Sequence, residues 1–429
     1  MKKTPRRNFL QAMTLTGGAA VYNPRLPQNL QAPSSKYDKL DEVLKQPVLR
    51  KDLLPYPVII ETLELLQDRN NFICRVRSRE GAEGISIGHP FVSKSSYPMF
   101  THNLYQHFIN QDARELDRMV FNAVEQNVKR QGIPLCVQIA TVEFAILDLL
   151  GNTVKKPAGE LLGPRINDEV KIYLGTRLSE LRNKPPKESL ELGKQDLERT
   201  DAKAIKLRAG RGDNLGLDNE NAPGRTEKLI KMSREIFGDD MNLMIDGNGS
   251  YSVKGAIRLG KMLQDYNFYF YEEPIPWDWY EEQKEVEQAL TIQMAGGEVE
   301  FGMHAFCYLI GNEVFQIVQP DLFYFGGMIR SMKVARMAEV AGLEISPHIS
   351  SGGLGYVYLL QMLSACPSAG EFHEFKMFDT YDANGTIIPV ESKTAPFKSI
   401  DGVINVPTGD GMGITIDPGY IKTHKPIVV

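Results

Sequence analysis

The sequence has little of what marks the specialised classes of protein. Four cysteines among 429 residues (Cys74, Cys136, Cys307 and Cys366) include no pair at CxxC spacing, which excludes a zinc knuckle, a dithiol redox motif and a small disulfide-stapled fold. Most sit among apolar neighbours and read as buried thiols. No sign of charge dominates: 49 Lys and Arg face 54 Asp and Glu, for a net −5 and a pI near 5.9. That balance argues against nucleic acid or an acidic membrane surface as a partner. Beyond the N-terminus no stretch reads as long and apolar enough for a membrane helix. Phosphate-cradling glycine loops, a nucleophile elbow and zinc motifs are also missing. What remains is ordinary globular composition, 42% apolar and 24% charged, in a chain long enough for a large α/β barrel with a companion domain.

The N-terminus carries the first positive signal. Lys2, Lys3, Arg6 and Arg7 precede Phe9-Leu10 and a mildly apolar stretch reaching Val21. Over residues 1–30 this resembles a bacterial twin-arginine signal, which implies a periplasmic protein exported already folded. A basic, frayed terminus on a cytoplasmic enzyme is the alternative. Residues 31–56 are polar with interspersed Pro and Ser, and read as a linker.

Two grammars follow. Over 57–169, strand-like runs at Val58–Ile60, Leu63–Leu65, Phe72–Val76 and Gly84–Ile87 precede helical stretches at Arg114–Arg130 and Val137–Leu150. A small sheet followed by helices predicts an α+β domain. Over 170–380, short apolar runs alternate with amphipathic stretches, as at Ala204–Leu207, Leu243–Ile245, Phe268–Tyr271, Ile292–Ala295, Phe315–Val318, Leu343–Ser346 and Glu371–Phe375. Repeated βα units of this number predict a closed parallel barrel of TIM type. The Gly- and Pro-rich tail, 381–429, is expected to pack back on the first domain.

In such barrels chemistry sits where the strands end. Here the runs end in Asp246, Glu272, Glu298, Asp321 and His348, at intervals of 26 (246 to 272), 26 (272 to 298), 23 (298 to 321) and 27 residues (321 to 348). One such acid is as readily a surface cap. Three in register would repel one another unless a cation lay between them, and oxygen ligands of this hardness favour Mg²⁺.

The series Lys206-Leu207-Arg208, Asp246-Gly247-Asn248, Glu272-Glu273-Pro274, Gly297-Glu298, Pro320-Asp321 and Pro347-His348 resembles the mandelate racemase branch of the enolase superfamily. Lys156-Pro157, Leu161-Leu162-Gly163 and Gly411-Met412-Gly413 are similar to that family as well, so the likeness spans about 57 to 420. It implies a modified (β/α)7β barrel with an α+β capping domain. It also implies one Mg²⁺ per site, held by Asp246, Glu272 and Glu298. His348 is then the base that removes a proton α to a carboxylate, oriented by Asp321. Asn248 and Glu374 match positions that meet substrate or the developing oxyanion, and relatives commonly form symmetric homo-oligomers.

One departure bears on the reaction. The family usually carries Lys-x-Lys where this chain has Lys206 and Arg208, and arginine is a poor proton acceptor but a good carboxylate fork. Two-base racemisation loses its second base. Loss of a β-hydroxyl survives, with His348 or Lys206 supplying the acid. The expected reaction is therefore dehydration of an acid sugar to a 2-keto-3-deoxy acid. A racemase or epimerase on the same scaffold is the alternative, and a carboxylate-binding metal protein without turnover is the reading from another class. His89, Tyr97 and His102 fall in a segment that would cap the barrel; each reads more readily as ordinary surface than as a substrate contact.

Overall fold

Short apolar runs build the first sheet, with Leu63, Leu65, Leu66, Phe72, Ile73, Cys74 and Val76 all buried in it. Strands β1 (Ile60–Asp68), β2 (Asn71–Ser78) and β3 (Glu83–Ile87) form an antiparallel meander. The computed structural model describes residues 36–175, 184–210, 216–220, 222–376, 381–394 and 397–427. The expected export signal, residues 1–30, lies outside them.

Against this sheet lies the helix Ile133–Val154, longer than the predicted Val137–Leu150. The sequence suggests a single apolar stripe, but every residue from Leu135 to Leu147 is buried. A helix covered on all sides is apolar all round. By length and composition it could cross a membrane, which corrects the reading that no such stretch follows the N-terminus. Its window is 89% buried within the fold, so its apolarity belongs to a protein core. Strand β3 lies close on it at Gly84, where any Cβ would strike the Ala145 carbonyl and the Leu149 backbone.

The stretch read as a linker is also more ordered than its polarity suggests. It contains the helix Lys36–Lys45, with Leu40 buried, and the Asp117 carboxylate accepts the N–H groups of Val48 and Leu49 at 2.8 and 2.9 Å.

Eight parallel strands follow: β4 (Glu169–Gly175), β5 (Ala204–Arg208), β6 (Asn242–Asp246), β7 (Phe270–Glu272), β8 (Gln293–Gly296), β9 (Ile317–Val318), β10 (Glu344–Ile345) and β11 (His373–Phe375). From β4 to β9 each pairs with the next in sequence, and β11 returns to pair with β4. Helices Pro186–Thr200, Arg225–Phe237, Val253–Asp265, Tyr280–Gln288, Met303–Gly311, Met328–Ala341 and Gly355–Ser364 connect them. The remaining seam is bridged where Ile345 exchanges hydrogen bonds with Ser368 and Gly370, at 2.8 and 2.9 Å. The result is a (β/α)7β barrel.

Its floor is a separate apolar cluster of Tyr173, Ala204, Met244, Phe270, Ala295, Ile317 and Phe372. These fill the barrel interior as side-chain layers do in folds of this type. The tail adds β12 (Val390–Ser392), β13 (Val403–Asn405), β14 (Ile414–Ile416) and β15 (Lys425–Pro426). Strand β13 pairs with β4, and β15 extends the first sheet along β1.

Candidate active site

The floor cluster explains where the charged residues go. Two residues past each floor position, the strand presents its next side chain to the same interior. Met244 is followed by Asp246, Phe270 by Glu272, Ala204 by Lys206 and Arg208, Ile317 by Gln319 and Asp321, and Phe372 by Glu374 and Lys376. Oil below and charge above therefore come from one alternation carried past the ends of the strands.

Asp246 and Glu272 are direct register partners on β6 and β7, as are Arg208 and Asp246 on β5 and β6. Glu298 departs from the equal level that its spacing suggests. The partner of Glu272 on β8 is Ala295, three residues earlier. Between them the chain turns through Gly297 at φ +107°, where a Cβ would come within 2.9 Å of the Phe306 ring. Glycine is required there, and it turns Glu298 to the other two acids. One carboxylate oxygen from each of Asp246, Glu272 and Glu298 lies within 4.8 Å of the others.

Cations and amides surround this cluster. Lys206 Nζ lies 2.5 Å from Glu272 Oε1 and 3.4 Å from Glu374 Oε1, with its side chain wholly buried. Gln319 Nε2 donates to Glu272 Oε2 at 2.9 Å. The Arg208 guanidinium stands against Asp246 and donates to Asn248 Oδ1 at 3.0 Å. Asn248 donates its own N–H to Asp246 Oδ1 at 2.7 Å and its side-chain amide to Glu298 Oε1 at 3.3 Å. Glu298 Oε2 is buried with no hydrogen-bond partner. Three converging carboxylates, two of them with a buried oxygen that makes no hydrogen bond, form a hard donor set that fits a divalent cation.

Across the mouth, His348 Nδ1 lies 2.7 Å from Asp321 Oδ2. The Asp321 carboxylate is fixed in turn by the N–H groups of Phe323, Tyr324 and Ser350, at 2.8, 2.7 and 2.6 Å. An imidazole held through Nδ1 by a carboxylate leaves Nε2 to handle a proton. That atom sits 3.3 Å from both Glu298 Oε2 and Glu374 Oε2, and 3.4 Å from Lys376 Nζ.

These contacts set the charge states. Burial opposes charge on His348, yet Glu298, Glu374 and Asp321 outweigh it and hold its pKa above the ordinary value. Burial likewise opposes ionisation of Glu374, but Lys206, Lys376 and His348 prevail and keep it well below the carboxylate range. Glu298 is lowered against its burial by His348, Lys206 and Arg208.

Three members of this assembly escape a reading of strand ends alone. Gln319, two residues before Asp321, and Lys376, two past Glu374, obey the same two-residue step, and following it both ways from each acid would have found them. His89 is different: it is buried, and its Nε2 lies 3.0 Å from Ser350 Oγ, next to the His348–Asp321 pair. Burial, with the nearby His348, pushes its pKa down to about 4 against the pull of Asp321. The expectation of ordinary surface is wrong for His89, because a contact between residues 89 and 350 exists only in the folded chain. Tyr97 stacks on Phe72 at 5.3 Å between ring centroids, and His102 is exposed.

The barrel is that of the enolase superfamily. The chain belongs to it: residues 190–420, more than half of the protein, match the family described as Enolase C-terminal domain-like. Within the superfamily it falls in the mandelate racemase/muconate lactonizing branch. Among its relatives, it is 28% identical to the arabinonate dehydratase of Saccharolobus solfataricus over 299 residues, 69% of this chain and 74% of that one. It is 26% identical to the D-galactarolactone cycloisomerase of Agrobacterium fabrum over 314 residues, covering 72% and 79% of the two chains. The mandelate racemase/muconate lactonizing protein of Paracoccus denitrificans, whose structure was solved with magnesium, aligns at a TM-score of 0.74 and 23% identity. That alignment covers 87% of this chain and all of the other (100%).

Proposed function

We propose that this protein is a Mg²⁺-dependent acid-sugar dehydratase, which removes the proton α to a carboxylate and expels a β-hydroxyl to give a 2-keto-3-deoxy acid. The observation that carries the reading is the placement of His348, braced by Asp321, across the barrel mouth from the cluster of Asp246, Glu272 and Glu298. The dehydratases among its relatives support the same reaction class.

Asp246, Glu272 and Glu298 would hold the Mg²⁺, which when bound supplies positive charge to the substrate carboxylate and makes its α-proton more acidic. His348 Nε2 takes that proton, and Asp321 steadies the imidazolium that results. Arg208 and Asn248 are placed to engage the carboxylate group. Lys206, wholly buried between Glu272 and Glu374, serves as a fixed positive charge beside the developing enediolate. With Lys206 occupied in this way and an arginine at 208, the side of the site opposite His348 offers no second base among the described residues. That favours dehydration over racemisation.

The test is incubation with Mg²⁺ in D₂O across a panel of acid sugars and hydroxy acids, following α-proton exchange by NMR and 2-keto product by colour reaction. A 2-keto acid supports the dehydratase. Exchange with inversion and no loss of water makes the protein an epimerase, and tight binding without exchange makes it a binding protein. The Arg6-Arg7 pattern supports export; cell fractionation of wild type beside Arg6→Lys/Arg7→Lys would show a periplasmic pool that disappears in the variant.

A further inference from the structure

Dehydration needs two proton movements, and the sequence leaves the second to His348, already engaged by the first, or to Lys206. A hydroxide ion is a poor leaving group, so the departing β-oxygen must receive a proton in the transition state. Lys206 is buried and paired, and Arg208 does not release protons under ordinary conditions. On the His348 side stands a group the family resemblance does not assign. Lys376 follows β11, two residues past Glu374, and so presents its side chain to the same interior. Its Nζ lies 3.0 Å from Glu374 Oε2 and 3.4 Å from His348 Nε2. The side chain is 18% exposed, where those of Lys206 and Glu374 are wholly buried. Of the two lysines it is the one at the open end of the site, where a substrate enters.

The geometry points to Lys376 as the general acid that protonates the leaving β-hydroxyl, on the same face from which His348 takes the α-proton. This deepens the dehydratase reading and rests on it. In the step, the α C–H bond breaks and its proton goes to His348 Nε2. The freed electron pair passes first into the carboxylate as the enediolate, then returns to form the α–β double bond as the β C–O bond breaks. The oxygen takes a proton from the Lys376 ammonium and leaves as water. The enol so formed becomes the 2-keto acid by taking a proton at the β-carbon and releasing its hydroxyl proton to solvent. The enzyme is left with an imidazolium and a neutral amine 3.4 Å apart. Passage of the proton from His348 to Lys376 restores both groups without solvent. Glu374, within reach of both nitrogens, holds them together. Because acid and base share one face, the elimination is syn.

The experiment compares wild type with Lys376→Met and Lys376→Arg on a substrate identified by the panel, beside its β-fluoro analogue, whose leaving group needs no proton. In Lys376→Met, loss of water is expected to fall about 100-fold or more. α-Proton exchange and fluoride release should stay within about tenfold of wild type. Lys376→Arg keeps the charge but not the acidity and should resemble Lys376→Met. Parallel loss of dehydration, exchange and fluoride release would make Lys376 a structural or binding residue and overturn the assignment. So would unchanged dehydration, or an anti elimination in the wild type. If wild type turns over no acid in the panel, the dehydratase reading falls and this assignment with it. If wild type dehydrates and the variants do too, only the assignment falls.

Discussion

Two of the regions in which this molecule buries carboxylates do so in opposite ways. At the barrel mouth, Asp246, Glu272, Glu298 and Glu374 lie among one another and are met by side-chain cations. On the helix Ile133–Val154, Glu143 and Asp148 stand apart and are met by main-chain N–H groups. Glu143 Oε1 accepts from Met328 and Ile329 at 2.5 and 3.1 Å, capping the helix that begins there. Asp148 accepts from Ile85 at 2.9 Å and Met412 at 2.8 Å, joining β3 to the tail. Backbone amides cannot leave or change charge, so the second arrangement only holds the fold together. Side-chain cations can move, exchange protons and be replaced by a metal, so the first can do chemistry. Burial raises the pKa of Glu143 to about 8 and of Asp148 to about 6, whereas the cations hold Glu298 and Glu374 below the ordinary range. The sign of the shift follows the kind of partner.

Breaking the first arrangement should cost activity and spare the fold. The largest effect is expected for His348→Asn, which keeps a polar group beside Asp321 but removes the base. Exchange of the α-proton should fall by about 1,000-fold or more, with thermal unfolding little changed. Next, Glu298→Gln should abolish the rise in melting temperature that Mg²⁺ gives the wild type, because a ligand stabilises only as far as it binds the native state. A differential scanning fluorimetry titration reads this without any substrate.

Breaking the second arrangement should cost stability and spare the chemistry. Glu143→Ala strips two buried amides of their acceptor and should cost about 2–4 kcal/mol in a denaturant titration. Glu143→Gln keeps an acceptor and gives a sharper result. The folded pKa of Glu143 lies above its unfolded value, so its contribution is full below pH 4.5 and declines as pH rises towards 8. Wild type should therefore lose melting temperature relative to Glu143→Gln between about pH 5 and 8, and parallel curves would contradict the shift. The smallest effect is expected for Asp148→Asn, at about 1–3 kcal/mol, because the amide supplies one acceptor where the carboxylate supplied two.

The same contrast explains what could be read from the sequence. The barrel and its acids were legible because five of the strands are short apolar runs that lead into a charged residue, and that pattern repeats. Gln319 and Lys376 lay within reach of the same rule, one step before Asp321 and one step past Glu374. Glu143 and Asp148 were not legible as buried acids. Their partners are backbone N–H groups of Met328 and Met412, far away in the chain, and no residue type advertises a free amide. His89 failed for the same reason, since Ser350 beside it is 261 residues distant. The polar stretch before Pro47 misled by composition: Leu40, with the half-buried Val43 and Leu44, is enough to anchor a helix whose other described positions are exposed. Local periodicity locates a site built on strands, but not contacts made across the fold.

The most direct measurement of the central claim is α-proton exchange by ¹H NMR, in D₂O with Mg²⁺, across acid sugars, for wild type and His348→Asn. The account predicts that at least one acid loses its α-proton signal and gains a 2-keto product with wild type, and that both changes vanish in the variant. Exchange that persists in His348→Asn would move the base elsewhere and contradict the account.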